Sequence, residues 1–281
     1  MPLNFLKPDS NSRSLSQPAA ESSGESDPRT QPQFLPLLWG VLGIIIQARF
    51  CYQADAFLLS SGIIALISTL TLIFGGVALC RKKAEGTNTN RAIVLAGGII
   101  GFLAGVPFGL WTLGAALLIL LMSLIPHRFG IVADFIVAVL AGSLFLGAAT
   151  AFGRISTAGY PSAFVFFFFL AWGTTIAIGT WKVDTTSNRL TLATLLGPRA
   201  ALATAGILFF IFGIITTWPF LNGFYKSVYF WVIVIGVDIP LLWLWGRIRG
   251  RDKQLSDFAL ARFNRWIRWL TFVFLIALLL A

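Results

Sequence analysis

Residues 56–80 read AFLLSSGIIALISTLTLIFGGVALC and contain no charged side chain. A helix of about 20 apolar residues crosses a hydrocarbon core roughly 30 Å thick. Similar apolar stretches occupy residues 35–50, 92–109, 111–126, 131–152, 161–181, 201–218, 227–246 and 267–281. Because a bilayer offers no water to unpaired backbone groups, each stretch is expected to be helical. The sequence therefore predicts an all-α, polytopic integral membrane protein with about nine transmembrane helices.

The charges support a membrane topology. Only 11% of the residues are charged, against about 25% in soluble proteins. In a soluble protein, the net charge of +10 would indicate a nucleic-acid partner. Here the basic residues gather in the tail and in the gaps after the second, fourth, sixth and eighth stretches, and only Arg49, Arg154 and Lys226 lie in the other gaps. This asymmetry predicts a cytoplasmic N-terminus and no nucleic-acid partner.

The chain divides by composition into two parts. Residues 1–33 are rich in Ser, Pro, Gln and Glu and contain no apolar run, so a disordered cytoplasmic tail is expected. A signal peptide is not indicated, because no hydrophobic region follows the start. An organellar transit peptide is the alternative, and the acidic residues of the tail count against it. Residues 34–281 form the predicted transmembrane helical domain.

Cysteine and histidine limit the chemistry. The only histidine, His127, excludes a bis-histidine haem or a multi-histidine metal centre supplied by this chain alone. Cys51 and Cys80 are predicted at opposite faces of the membrane, which argues against an internal disulfide.

Two aspartates fall within apolar stretches, where ionisable residues are costly and often functional. Asp134 lies one turn inside the fifth stretch. It is a candidate functional residue or, alternatively, the partner of a loop cation such as Arg128. Asp238 lies deeper, just before Pro240, and a pairing role within the bundle is expected for it.

The third stretch carries a glycine pattern. Gly97, Gly101, Gly105 and Gly109 recur every four residues, which predicts a smooth ridge for close helix packing. Pro107 is expected to kink or end this helix near its outer end.

Two further stretches suggest a family. Residues 127–153, HRFGIVADFIVAVLAGSLFLGAATAFG, run from basic Arg128 to Asp134 and then to a helix rich in small residues. Residues 181–204, WKVDTTSNRLTLATLLGPRAALAT, place Asp184 before a Thr-Leu pair, a Leu-Gly pair and an alanine-rich segment, with Asn188 where a glycine would stand. Both stretches resemble the UbiA superfamily of intramembrane prenyltransferases, and the resemblance covers roughly residues 35–281.

The resemblance implies a UbiA-like bundle around a central cavity open to the cytoplasm. It also implies an isoprenoid ligand with a diphosphate or other polar head, and Mg²⁺ as cofactor. The apolar wall is expected to include Phe102, Trp111, Phe135, Phe168, Trp172 and Trp181. The residues expected to bind the head are Lys82, Lys83, Arg91, Arg128, Asp134, Lys182, Asp184 and Arg189.

The acidic motifs of this family are reduced here. The resemblance implies two aspartate-rich clusters, which in UbiA enzymes read broadly NDxxDxxxD and DxxxD. In that family the two clusters hold Mg²⁺ against the diphosphate. This chain has CRKKAEGTNTNR at residues 80–91, with Glu85 as its only carboxylate, and keeps Asp184 alone in the second cluster. Glu85 and Asp184 are therefore the only metal-ligand candidates that the resemblance implies, too few for two magnesium sites.

Three functions remain open at this stage, and the sequence does not decide whether the chain is an enzyme. One is binding of an isoprenoid, with prenyl transfer to an aromatic or lipid acceptor. Another is a noncatalytic role, as a pigment- or lipid-binding subunit or an assembly factor with a membrane protein partner, which the reduced acids favour. The last is a carrier unrelated to the family, although no internal repeat typical of carriers is evident.

Overall fold

The computed structural model describes residues 34–53, 59–81, 87–126, 128–249 and 257–281. The predicted tail therefore lies outside the described residues. Lys82, Lys83, Glu85 and His127 also lie outside them. Within these ranges the chain is helical and contains no strand.

Nine long helical rods follow one another within the described ranges, and each matches one predicted stretch. They are α1 (Phe34–Gln53), α2 (Leu59–Arg81), α3 (Thr87–Ile100, extended by a 3₁₀ turn at Gly101–Ala104), α4 (Val106–Leu124), α5 (Gly130–Ala151), α6 (Gly159–Gly179), α9 (Pro198–Leu221), the rod α10 (Ser227–Ile233) with α11 (Ile239–Arg249), and α12 (Asp257–Leu280). A π-helical turn, Val234–Asp238, joins α10 to α11, and two short helices, α7 (Trp181–Thr186) and α8 (Leu192–Leu196), lie between α6 and α9.

Six helices among the described residues are long and apolar enough to cross a membrane. They are Leu59–Leu79, Val106–Leu124, Gly130–Ala151, Gly159–Gly179, Pro198–Leu221 and Ser227–Gly246. A shorter apolar helix, Gly40–Cys51, accompanies them. The prediction of a polytopic, all-α membrane protein is confirmed.

The glycine pattern of the third stretch is divided between two helices. Gly105 adopts φ +137°, a conformation that L side chains rarely adopt, and α4 begins directly after it with Pro107 in its first turn. The prediction of one continuous ridge up to Gly109 is therefore wrong. Close packing does occur at two of these glycines, against different helices. A Cβ at Gly97 in α3 would lie 3.0 Å from Leu72 of α2, and one at Gly101 in the 3₁₀ turn would collide with Thr112 of α4.

Aromatic rings fill the space between α6, α9 and α12. Phe168 is fully buried, and its ring centroid lies 5.5 Å from Phe212 and 5.9 Å from Phe274. Trp172, one turn further along α6, packs 6.1 Å from Phe168. The prediction that these two residues line an open cavity is wrong, because both belong to the packed core.

Asp238 pairs within the bundle, as expected. It is almost fully buried, and the Thr216 hydroxyl of α9 donates to its Oδ2 at 3.2 Å. The Tyr229 hydroxyl donates to the Thr216 carbonyl at 2.9 Å. These bonds fasten the rod of α10 and α11 to α9 beside the π-helical turn, a feature that often marks functional positions.

The contribution of the Tyr229 hydrogen bond to stability can be measured by removing the hydroxyl. We expect Tyr229→Phe to lower the free energy of unfolding by about 1 kcal/mol, since a buried carbonyl loses its donor. The neighbouring Tyr225, whose ring centroid lies 4.7 Å from that of Tyr229, provides the matched control. Its buried hydroxyl has no hydrogen-bond partner among the described residues, so Tyr225→Phe should leave stability unchanged or slightly higher. Equal losses in both variants, measured by thermal unfolding in detergent, would contradict this account.

Candidate functional site at the loops after the fourth and sixth spans

The loop between α4 and α5 is bonded to the segment between α7 and α8. The Leu190 amide donates to the Arg128 carbonyl, and the Ile131 amide donates to the Leu190 carbonyl at 3.0 Å. These reciprocal bonds place both loops at the same end of the bundle. The two basic segments that the sequence analysis assigned to one face are thus neighbours in space.

The segment after α6 folds tightly for local reasons. Asn188 adopts φ +51°, the left-handed conformation that glycine favours and asparagine tolerates. In the UbiA pattern that residues 181–204 resemble, glycine stands at the position of Asn188. The Arg189 amide then bonds the Asp184 carbonyl at 2.8 Å, and Thr191 and Thr194 form a capping box that starts α8.

Asp184 is fully buried and its two oxygens have separate partners. The Thr180 hydroxyl donates to Oδ2 at 2.6 Å. Arg189 Nη1 lies 3.8 Å from Oδ1, and the Arg189 side chain keeps 29% of its surface exposed while Asp184 exposes none. The carboxylate is therefore held between a hydroxyl donor and a partly exposed guanidinium.

The other side of Arg189 lies against the start of α5. A Cβ atom added at Gly130 would be 2.7 Å from Arg189 Nε and 2.9 Å from Thr191 Cγ2. Glycine is thus the residue that lets the guanidinium approach the helix. Arg189 Nε is buried and has no hydrogen-bond partner among the described residues.

Asp134 completes this cluster from α5, one turn beyond Gly130 and so on the same side of the helix. Its carboxylate packs against α6, where a Cβ at Gly173 would lie 3.6 Å from Asp134 Cγ. Asp134 thus lies one turn from the glycine against which Arg189 packs. A pairing of Asp134 with Arg128 stays a prediction.

The remaining predicted head-binding residues lie at different places. Arg128 is exposed, with its guanidinium carbon 5.0 Å from the centroid of the Phe129 ring. Lys182 is exposed on α7, beside Asp184 in the chain. Arg91 is half-buried in α3, and the described contacts do not link it to this cluster. The structure thus pairs Asp184 with Arg189 and places Arg189 against Gly130, one turn before Asp134 on α5. Arg128 is joined to the same segment through the bond from the Leu190 amide, and Lys182 precedes Asp184 by two residues.

One comparison with solved structures identifies the architecture. The chain is similar to the structure of a membrane digeranylgeranylglyceryl phosphate synthase, a UbiA-superfamily prenyltransferase, with a TM-score of 0.72. The match covers 87% of this chain and 91% of that chain at 13% sequence identity. This protein has the UbiA fold. No family model matches the sequence, and no curated protein matches it significantly.

The UbiA fold confirms the predicted resemblance at the level of architecture. Two contributors to the site were not predicted from the sequence, namely Thr180 and Gly130. Thr180 precedes Asp184 by four residues, a spacing that indicates a helical neighbour and could have suggested the bond. Gly130 carried no signal, because its importance depends on a side chain that is distant in sequence.

Magnesium is the cofactor expected of a UbiA enzyme, and the described residues do not fit it. Among them, no group of three or more acidic, histidine or cysteine side chains could hold a metal ion. Asp184 already has Thr180 and Arg189 as partners. Glu85, the other predicted ligand, lies outside the described residues.

Proposed function

We propose that this protein binds an isoprenoid lipid with an anionic, diphosphate-type head at the joined loops after α4 and α7. The observation that carries the proposal is the Arg189 guanidinium. Its side chain keeps 29% of its surface exposed beside the fully buried carboxylate of Asp184. The exposed part of a guanidinium offers charged N–H donors, for which a phosphate oxygen is a strong acceptor.

The surroundings favour an anionic head over a neutral one. Arg128 and Lys182 are exposed near Arg189 and add positive charge at the surface. Guanidinium groups bind phosphates through paired N–H donors, and lysine binds them as a point charge. The lipid tail requires an apolar environment, which the apolar helices and a surrounding bilayer would provide.

A binding measurement tests this proposal. Purified protein in lipid nanodiscs is titrated with farnesyl diphosphate in EDTA, and the dissociation constant is compared with that of Arg189→Gln. We expect the variant to bind about tenfold more weakly, since a charge-assisted hydrogen bond contributes roughly 1.5 kcal/mol or more. Arg199→Gln is the matched control, because Arg199 is an exposed arginine at the start of α9 outside the cluster. It should bind like the unaltered protein.

Two results would contradict the proposal. One is the absence of farnesyl diphosphate binding by the unaltered protein. The other is equal weakening by Arg189→Gln and Arg199→Gln, which would indicate a nonspecific effect of net charge. Farnesol, which has the same tail without the charged head, should bind much more weakly than the diphosphate.

A second candidate function is prenyl transfer, which the similarity to a synthase favours. In that reaction the bond between the prenyl C1 and the diphosphate oxygen breaks, and diphosphate leaves. A bond from C1 to an aromatic or lipid acceptor forms, and the acceptor loses a proton to solvent. Release of inorganic diphosphate in the presence of candidate acceptors measures this directly. Tight binding without release would instead favour the noncatalytic lipid-binding role.

A further inference from the structure

Arg189 occupies an unusual position for a surface-loop arginine. Its Nη1 lies 3.8 Å from the carboxylate of fully buried Asp184, and its Nε packs against Gly130. Asp134 extends from the same side of α5, one turn further along. One positive charge is therefore held against the buried carboxylate of Asp184 and against α5, with Asp134 one turn away.

We infer that Arg189 supplies from the protein itself the positive charge that a metal ion would bring to the Asp184 carboxylate. The inference rests on the proposed function for the identity of the ligand. Its consequence is that the head of an anionic lipid meets a permanent cation, so that binding by the unaltered protein does not depend on Mg²⁺. Arg189 is a specificity-determining residue in this account.

The physical argument is one of charge compensation. A buried carboxylate is stable only when it is paired with a cation or with hydrogen-bond donors. Thr180 supplies one donor to Asp184, and the guanidinium supplies the charge. Arginine remains protonated at any physiological pH and presents a planar array of donors, so it can contact a carboxylate and a phosphate together. A side chain fixed by Gly130 and by the Asn188 turn provides this charge permanently.

The test asks whether removing Arg189 creates a need for a divalent cation. Arg189→Ala in nanodiscs should lose farnesyl diphosphate binding in EDTA at least tenfold and recover most of it when Mg²⁺ is added. The unaltered protein should show the same affinity in both conditions. Thermal unfolding in detergent, without farnesyl diphosphate, provides a second readout. In this measurement Mg²⁺ should raise the melting temperature of Arg189→Ala and leave that of the unaltered protein unchanged. Sodium chloride at matched ionic strength corrects for general screening.

Two further variants test whether the Mg²⁺ effect depends on the Asp184 carboxylate and whether it survives a milder substitution of Arg189. The double variant Arg189→Ala/Asp184→Asn lacks the carboxylate, so Mg²⁺ should neither stabilise it nor restore binding. Arg189→Gln, which preserves much of the side-chain volume, replaces Arg189→Ala in all measurements if the latter does not fold. Absence of any Mg²⁺ effect on unfolding of the single variant would overturn the inference, as would Mg²⁺-dependent binding by the unaltered protein. If neither the unaltered protein nor any variant binds farnesyl diphosphate, the proposed function is refuted instead. The effect of Mg²⁺ on the melting temperatures would still decide the role of Arg189.

Discussion

Replacing Gly130 with leucine is expected to weaken farnesyl diphosphate binding about 100-fold, a loss of roughly 2.7 kcal/mol. A Cβ atom at this position would lie 2.7 Å from Arg189 Nε and 2.9 Å from Thr191 Cγ2. The larger side chain must displace both residues. It also disturbs the backbone bonds that Leu190 makes to the loop before α5. The loss should therefore exceed that of Arg189→Gln, which removes one charge and leaves the loops joined.

The measurement is the same nanodisc titration in EDTA, with Gly114→Leu as the control. Gly114 lies in α4 with open space around it, since no atom comes within 4 Å of an added Cβ. Gly114→Leu should bind like the unaltered protein. If Gly130→Leu retained full affinity, the position of Arg189 against α5 would have no role in binding. Intrinsic fluorescence and gel filtration should confirm that both variants are folded.

Replacing Gly206 with alanine is expected to lower the free energy of unfolding by roughly 2–3 kcal/mol. An added Cβ atom would collide with the Trp245 indole ring, which lies against α9 at this point. The ring is rigid, and its Nε1 donates to the Leu202 carbonyl at 3.1 Å. It can therefore move away only by losing that bond and the contact between α9 and α11.

Thermal unfolding in detergent measures this change, and Gly246→Ala is the matched control. Gly246 follows Trp245 directly in α11, and nothing lies within 4 Å of an added Cβ there. Because alanine is the better helix former, the control should unfold at the same or a slightly higher temperature. Equal melting temperatures for the two variants would show that the indole can be accommodated elsewhere.

The membrane architecture follows from the sequence because its physical cause is local. A stretch such as residues 56–80 has one stable conformation in a bilayer, whatever surrounds it, since every backbone group must be bonded within the helix. Each predicted stretch accordingly matches a helical rod among the described residues. The end of the third stretch was placed incorrectly, because the glycine spacing continues through Gly105 while the helix stops at Ala104.

The sequence predicted that helices approach each other closely at small residues, but not which helices do so. Small residues indicate that another segment approaches, as Gly97 and Gly142 do in the structure. They do not identify that segment. Phe168 illustrates the converse, since an aromatic residue in an apolar helix is equally suited to a cavity wall, the lipid face or a packed core. Its burial among Phe212 and Phe274 depends on the arrangement of three helices.

The sequence by itself determined the all-α membrane class, the order of the helical rods and the candidacy of Asp134, because hydropathy and charge are properties of each segment alone. The candidacy of Asp184 and Arg189 came from the resemblance to the UbiA superfamily. Only the tertiary structure decided that Arg189 pairs with Asp184 and rests on Gly130. Gly130 and Arg189 are far apart in sequence, and their contact exists only once α5 and the segment after α6 are packed together. Pairing of buried charge is a property of the assembled fold, and no local pattern contains it.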